Sequence, residues 1–160
     1  MGSPAITLRD MRPDEYEAYA ARQEAEYVAH VAESIPIEAA KKKARQDRER
    51  FLPHGLATER QRLLVAENAQ GEVVGNAWLG LDDPQARTTD VAWLFDIRVE
   101  EAHRRSGYAT AILAAVEELA REAGADKLGL NVHGHNTAAI SLYQATGYHV
   151  TAQQMAKPLR

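Results

Sequence analysis

Residues 91–124 read VAWLFDIRVEEAHRRSGYATAILAAVEELAREAG, and this stretch decides the fold. Residues 91–99 are mostly apolar, β-branched or aromatic, which predicts a strand. Residues 107–123 place Ala109, Ile112, Leu113, Val116, Leu119, Ala120 and Ala123 on one stripe, with Glu117, Glu118, Arg121 and Glu122 outside it, which predicts a helix. The loop between them carries Arg104, Arg105, Ser106 and Gly107. A strand that runs through basic residues and a glycine into a helix N-terminus makes an anion site, because unbonded amides and the positive end of the helix dipole converge there. On local pattern alone, an ordinary helix start with solvated arginines fits as well as a pyrophosphate site does.

Outward toward the C-terminus, KLGLNVHG (residues 127–134) reads as a strand with Leu128, Leu130 and Val132 on one side. The intervening helix makes it a parallel neighbour of strand 91–99 through a right-handed crossover. Residues 136–146 predict a short helix stopped by Gly147, and residues 148–157 a last strand. Toward the N-terminus, residues 62–67 and 72–81 flank Asn68-Ala69-Gln70-Gly71 as an antiparallel hairpin, with Gly75 marking a bulge or a close backbone approach. Residues 82–84 break the pattern before a strand from about Thr89.

AITLRDM supplies a first strand, and Pro13 suits the start of a helix over residues 14–32 with Tyr16, Tyr19, Ala20, Tyr27, Val28 and Val31 as its stripe. Its Glu15, Glu17, Glu24 and Glu26 read as a solvated face. A second helix follows Ser34 and Pro36 and stops by Pro53. Its thin stripe of Ile37, Ala40, Ala44, Phe51 and Leu52 marks a loosely held element suited to lining a cleft. The order is β-α-α-β-β-β-α-β-α-β.

With 160 residues, 45% of them hydrophobic, the chain is expected to form one domain over residues 1–160. It has no cysteine, which excludes disulfides, thiolate metal sites and a cysteine nucleophile. A net charge of -4 supplies no global field for nucleic acid. No apolar run approaches the roughly 20 residues of a membrane span, no signal-peptide core opens the chain, and Ile6 stands where a myristoylation signal wants Ser or Thr. These features suggest a soluble cytoplasmic protein with no nucleic-acid or membrane partner. His133-x-His135 is poor evidence for zinc, and no metal is expected.

Val99, four residues, then Arg104-x-x-Gly107-x-Ala109-Thr110 and an aliphatic run resemble the acetyl-CoA signature of the GNAT superfamily of N-acetyltransferases, (Gln/Arg)-x-x-Gly-x-(Gly/Ala). LNVHGHNTAAISLYQATGYHV resembles that family's second motif, through its strand, Asn136, an alanine-rich helical turn, Leu142-Tyr143 and Gly147-Tyr148. The two motifs stand in the family's order, and the element order covers nearly the whole chain. Glu101 replaces a proline that the family often carries, and His103 an aromatic; both lie in the approach to the loop, leaving its glycine and alanine positions intact.

The resemblance implies an α/β fold (α+β in layer terms): a mixed sheet of about six to seven strands, about four helices and a splayed parallel central pair. It implies acetyl-CoA as cosubstrate, with its pyrophosphate on the backbones of Arg104, Arg105, Ser106, Gly107, Tyr108 and Ala109 and on the Thr110 hydroxyl. The pantetheine arm would pair with the backbone at Ile97, Arg98 and Val99, since its peptide-like amides need partners.

Asn136 and Tyr143 lie two helical turns apart and share a face. Asn136 reads equally as a helix cap and as a cofactor or substrate contact. The resemblance makes Tyr143 the acid that protonates the leaving thiolate, for which a phenol of pKa about 10 is suited. Asp96, an acid inside an apolar strand, is the first choice to take the proton of the attacking amine, as base or base relay; Glu100, His133 and a water chain are alternatives. Strict alternation would turn Asp96 away from Phe95 and Ile97.

The expected reaction is direct transfer in a ternary complex to the primary amine of a small molecule or peptide. The alternatives are another acyl-CoA donor, a protein N-terminal amine as acceptor, and a non-catalytic acyl-CoA-binding regulatory module. The fold also allows a homodimer.

Overall fold

The computed structural model describes residues 2–82 and 90–160. Two compact units form, Met1–Leu130 and Asn131–Arg160. The first holds β1 (Ile6–Asp10), α1 (Pro13–Val31), α2 (Ile37–Phe51), β2 (Gln61–Asn68), β3 (Val73–Gly80), β4 (Val91–Val99), α3 (Tyr108–Glu122) and β5 (Lys127–Leu130). These strands make one sheet in the order β1-β2-β3-β4-β5, antiparallel except for the parallel β4–β5 pair. The second unit holds α4 (Thr137–Ala145).

Local chemistry sets the turns. The Asn68 side-chain oxygen accepts from the amides of Gln70 (3.0 Å) and Glu72 (2.9 Å), closing the β2–β3 hairpin. The Glu15 carboxylate accepts the Arg12 amide (2.9 Å) at the start of α1. Arg9 on β1 donates to that carboxylate (2.8 Å) and to Glu67 on β2 (2.9 Å). Its hydrogen bond holds the Glu15 carboxyl down to about 2 against the opposing effect of burial.

Alternation along β2 and β3 separates two cores. Leu63 and Val65 face a cluster with Met11, Tyr19, Leu52 and Trp78, against which Tyr16, Phe51, Leu56 and Phe95 pack. The other face meets α3, whose Ile112, Leu113 and Val116 are fully buried, as are Leu64, Val74 and Leu79 of the sheet. Gly75 is the close approach its position suggested: a Cβ there would lie 2.3 Å from the Arg98 carbonyl oxygen and 2.9 Å from Ile112 Cδ1.

Several expectations are corrected. The described residues form five strands rather than six or seven, because residues 148–157 adopt no strand. Val150 is 59% exposed and Met155 88%, so this segment has no buried face to fix it as one. The strand expected over residues 127–134 stops at Leu130, and Val132 is exposed. Gly107 stands just before α3 instead of opening it, and Ala111 rather than Ala109 or Ala123 completes the buried stripe. Glu24 is not solvated: α2 turns Arg45 (3.1 Å) and Arg48 (3.7 Å) onto it. Beyond Asp82, the loop 82–88 lies outside the described residues.

Candidate functional site

The route from β4 into α3 runs through exposed residues just ahead of the helix N-terminus. After Val99 the chain makes a 3-10 turn, Glu101–His103, and the Arg104 guanidinium folds back to donate to the Val99 carbonyl (3.1 Å). Arg105 (φ 64°) and Gly107 (φ 84°) are both left-handed, and Gly107 is the residue that precedes the helix. Left-handed residues so close together curl successive amides toward one side, beside the first-turn amides that a helix leaves unbonded. Residues 104–107 are exposed, and Tyr108, Ala109 and Thr110 are half-buried. The donor set suits a pyrophosphate.

Upstream, β4 outruns its parallel partner. Pairing with β5 ends at Leu94–Leu130, whereas pairing with β3 continues to Gly75–Val99. Residues 95–99, with Ile97, Arg98 and Val99 among them, therefore extend past the end of the β4–β5 ladder, and their edge suits a peptide-like arm.

A bulge decides where Asp96 points. The β3–β4 register pairs Trp78 with Asp96 but Leu79 with Leu94, so Phe95 is the extra residue. Phe95 stacks on Trp78 with ring centroids 4.4 Å apart, while Asp96 is bonded to Tyr19 of the same cluster. Both side chains therefore serve the face that carries α1, and strict alternation fails at this point.

The Asp96 carboxylate accepts from the Tyr19 hydroxyl (2.8 Å) and at longer range from Gln23 Nε2 (3.4 Å), which also donates to the Tyr19 oxygen (2.7 Å). Arg22 reaches Glu100 (3.5 Å), and Arg98 pairs with Glu26. Burial pushes the Asp96 carboxyl above its ordinary value, the Tyr19 hydrogen bond opposes that rise, and the charge of Glu26 adds to it. The Tyr19 phenol is pushed well above its usual value, first by burial and then by the Asp96 charge. An acid poised in this way can accept a proton closer to neutral pH than a solvated one can.

Tyr19, Gln23 and Glu26 were missed as site residues. Tyr19 read as core and Glu26 as solvated, yet their 4 and 3 spacing puts all three on one face of α1, opposite the acid in the strand. Tyr19→Phe removes the hydrogen bond that opposes the rise. The acid limb of the pH profile of kcat/KM is therefore expected to move to higher pH. A limb that stays in place would separate Asp96 from the profile.

In the second unit, Asn136 caps α4, its Oδ1 accepting from the Ala139 amide (3.2 Å). Tyr143 is buried, its ring 5.6 Å from that of Tyr148 in an edge-on contact, and Gly147 (φ 104°) ends the helix. The rings of His133 and His135 stack 5.6 Å apart. Residues 96–99 and 104–110 are gathered within the first unit, while Asn136 and Tyr143 belong to the second.

The model of the acetyltransferase (GNAT) family matches residues 8–148. The chain belongs to the GNAT acetyltransferase family. It is 33% identical over 159 residues to a protein named uncharacterized N-acetyltransferase YdgE from Bacillus subtilis (strain 168), covering 97% of this chain and 99% of that one. The crystal structure of YycN from Bacillus subtilis superposes with a TM-score of 0.86 at 29% identity, covering 98% and 99% of the two chains. The aminoglycoside N-acetyltransferase AAC(6')-Iy, solved in complex with CoA, shares the fold at a TM-score of 0.62 and 20% identity, over 100% of this chain and 97% of that one. The acetyltransferase fold thus agrees with the α/β class read from the motifs. No helix among the described residues is long and apolar enough to cross a membrane.

Proposed function

We propose that this GNAT protein, acting as one acyltransferase domain, transfers the acetyl group of acetyl-CoA to a primary amine by direct attack. The observation that carries the reading is the course of β4, which runs past its pairing with β5 and leads through one 3-10 turn to the two left-handed residues ahead of α3. A thioester with a peptide-like arm and a pyrophosphate matches both features, and the family membership makes acetyl-CoA the donor of choice.

The residues divide the work. The backbone of Arg104 to Ala109 and the Thr110 hydroxyl hold the pyrophosphate, with the Arg104 and Arg105 side chains adding charge. The backbone of Ile97, Arg98 and Val99 orients the arm, and one of its amides stabilises the oxyanion. A primary amine of pKa near 10.4 is about one part in a thousand or less neutral at pH 7. Asp96 takes its proton, held in place by Tyr19 and Gln23. The amine nitrogen adds to the acyl carbon, the tetrahedral oxyanion collapses with cleavage of the C–S bond, and Tyr143 returns a proton to the leaving thiolate.

Thiol release from acetyl-CoA across a panel of primary amines, alongside calorimetry with CoA, tests the reading. Amine-stimulated release supports it. CoA binding without release from any amine would make the chain a binding module. Tyr143→Phe is expected to lower turnover about 10²-fold, the lower end of acid–base effects, with CoA affinity held within about threefold; unchanged turnover would remove Tyr143 as the acid.

A further inference from the structure

On the face of the sheet that carries Asp96, two residues further along each strand, two buried polar atoms lack partners. Asn76 is 6% exposed, and its Oδ1 has no hydrogen-bond partner; nor has the buried Nε of Arg98. Asn76 and Arg98 are register partners across β3 and β4, next to the Trp78–Asp96 pair, yet no hydrogen bond joins them. A buried polar group without a partner is destabilising, and native cores hold few of them. An acceptor and a donor without partners thus belong to paired residues on one face, beside the Trp78–Asp96 pair.

We propose that Asn76 Oδ1 and Arg98 Nε form a specificity subsite for a neutral hydroxyl or carboxamide carried by the amine acceptor. Only a group that donates and accepts at once satisfies both atoms. A carboxylate would leave the Asn76 oxygen without a donor, and an ammonium would be repelled by the guanidinium. Arg98 is anchored through its terminal nitrogen by Glu26 on α1, which leaves Nε as the atom to be shared. The subsite lies two strand positions from Asp96, roughly 6–7 Å along β4. An acceptor whose amine meets Asp96 therefore carries its hydroxyl or amide about four carbons away. The inference rests on the acetyl-transfer reading and deepens it.

The test compares 4-amino-1-butanol with pentylamine, equal in length but differing in the terminal oxygen, in the same thiol-release assay with acetyl-CoA. The amino alcohol is expected to have a kcat/KM about tenfold or more higher, since a site built to bond a hydroxyl rejects the analogue that lacks it. In Asn76→Leu that ratio is expected to fall toward one. The melting temperature of this variant is expected to rise, because an unsatisfied buried acceptor has been removed. Release from both amines at equal kcat/KM would overturn the subsite while leaving acetyl transfer standing. No release from these two or from any other primary amine would overturn acetyl transfer and the subsite with it, and release from other amines but from neither of these two would overturn the subsite alone. A lower melting temperature in Asn76→Leu would make Asn76 a structural group and overturn the subsite independently of turnover.

Discussion

Asp96→Asn is expected to lower kcat/KM for amine acetylation by about 10²- to 10³-fold, within the range of general-base effects, while making the protein more stable at neutral pH. The two effects have one cause. Burial raises the folded-state pKa of Asp96 above its ordinary value of 3.8. The unfolded chain therefore gives up this proton at lower pH than the folded chain does, and stability falls as pH rises through the interval between the two values. Above that interval the folded state carries a desolvated charge that asparagine lacks. The amide can still accept the Tyr19 hydroxyl hydrogen bond, so the cluster of Tyr19, Gln23 and residue 96 keeps its partners. Urea midpoints at pH 7 and the rate with a saturating amine check the two halves separately. Full activity would take the base role from Asp96, and a lowered midpoint would contradict the burial argument.

This pairing of lost rate with gained stability follows from how the site is built. A carboxylate in the middle of a strand is tolerated because α1 supplies Tyr19 and Gln23, and because the bulge at Phe95 turns residue 96 onto the side where α1 packs. The same bulge keeps Phe95 stacked on Trp78, so the apolar core loses nothing where the acid enters it. Stability held below its optimum at one residue is what a site needing a proton acceptor near neutral pH requires.

The parts of this architecture legible in the sequence are those with local causes. Gly107 reads as the helix boundary because a glycine between arginines and an apolar stripe has few other uses, and it proves left-handed. The parallel β4–β5 pair follows from the length of the helix that joins the strands. The position of Asp96 was not legible, since a one-residue bulge reverses every inference from alternation and no residue type announces it. Residues 148–157 alternate well enough to read as a strand, yet a strand needs a neighbour and a face, and alternation specifies neither. The Asn76–Arg98 pair was invisible for a third reason: each residue is unremarkable alone, and only the register sets an unpaired donor beside an unpaired acceptor.

Gly107→Val is expected to weaken CoA binding by about 100-fold or more, roughly the loss of one or two good hydrogen bonds to a charged group. At φ 84° a β-branched residue is strained, a cost on the order of 1–3 kcal/mol. The added Cβ would also stand 3.1 Å from Pro4 Cδ, so that ring must give by a few tenths of an ångström. The chain relieves both by rotating residue 107 toward ordinary φ. That rotation turns its peptide groups, and the amides gathered ahead of α3 no longer point to one place. The helix itself is held by Ala111, Ile112, Leu113, Val116 and Ala120 in the core, so thermal stability falls modestly while the anion site is lost. Calorimetry with CoA and with 3'-dephospho-CoA locates the damage. Both ligands are expected to lose affinity equally, because the pyrophosphate is common to them and the 3'-phosphate is not. Retention of affinity within about threefold, less than the weight of a single charged hydrogen bond, would take the pyrophosphate away from this loop. A loss confined to CoA would move the contact from the pyrophosphate to the 3'-phosphate.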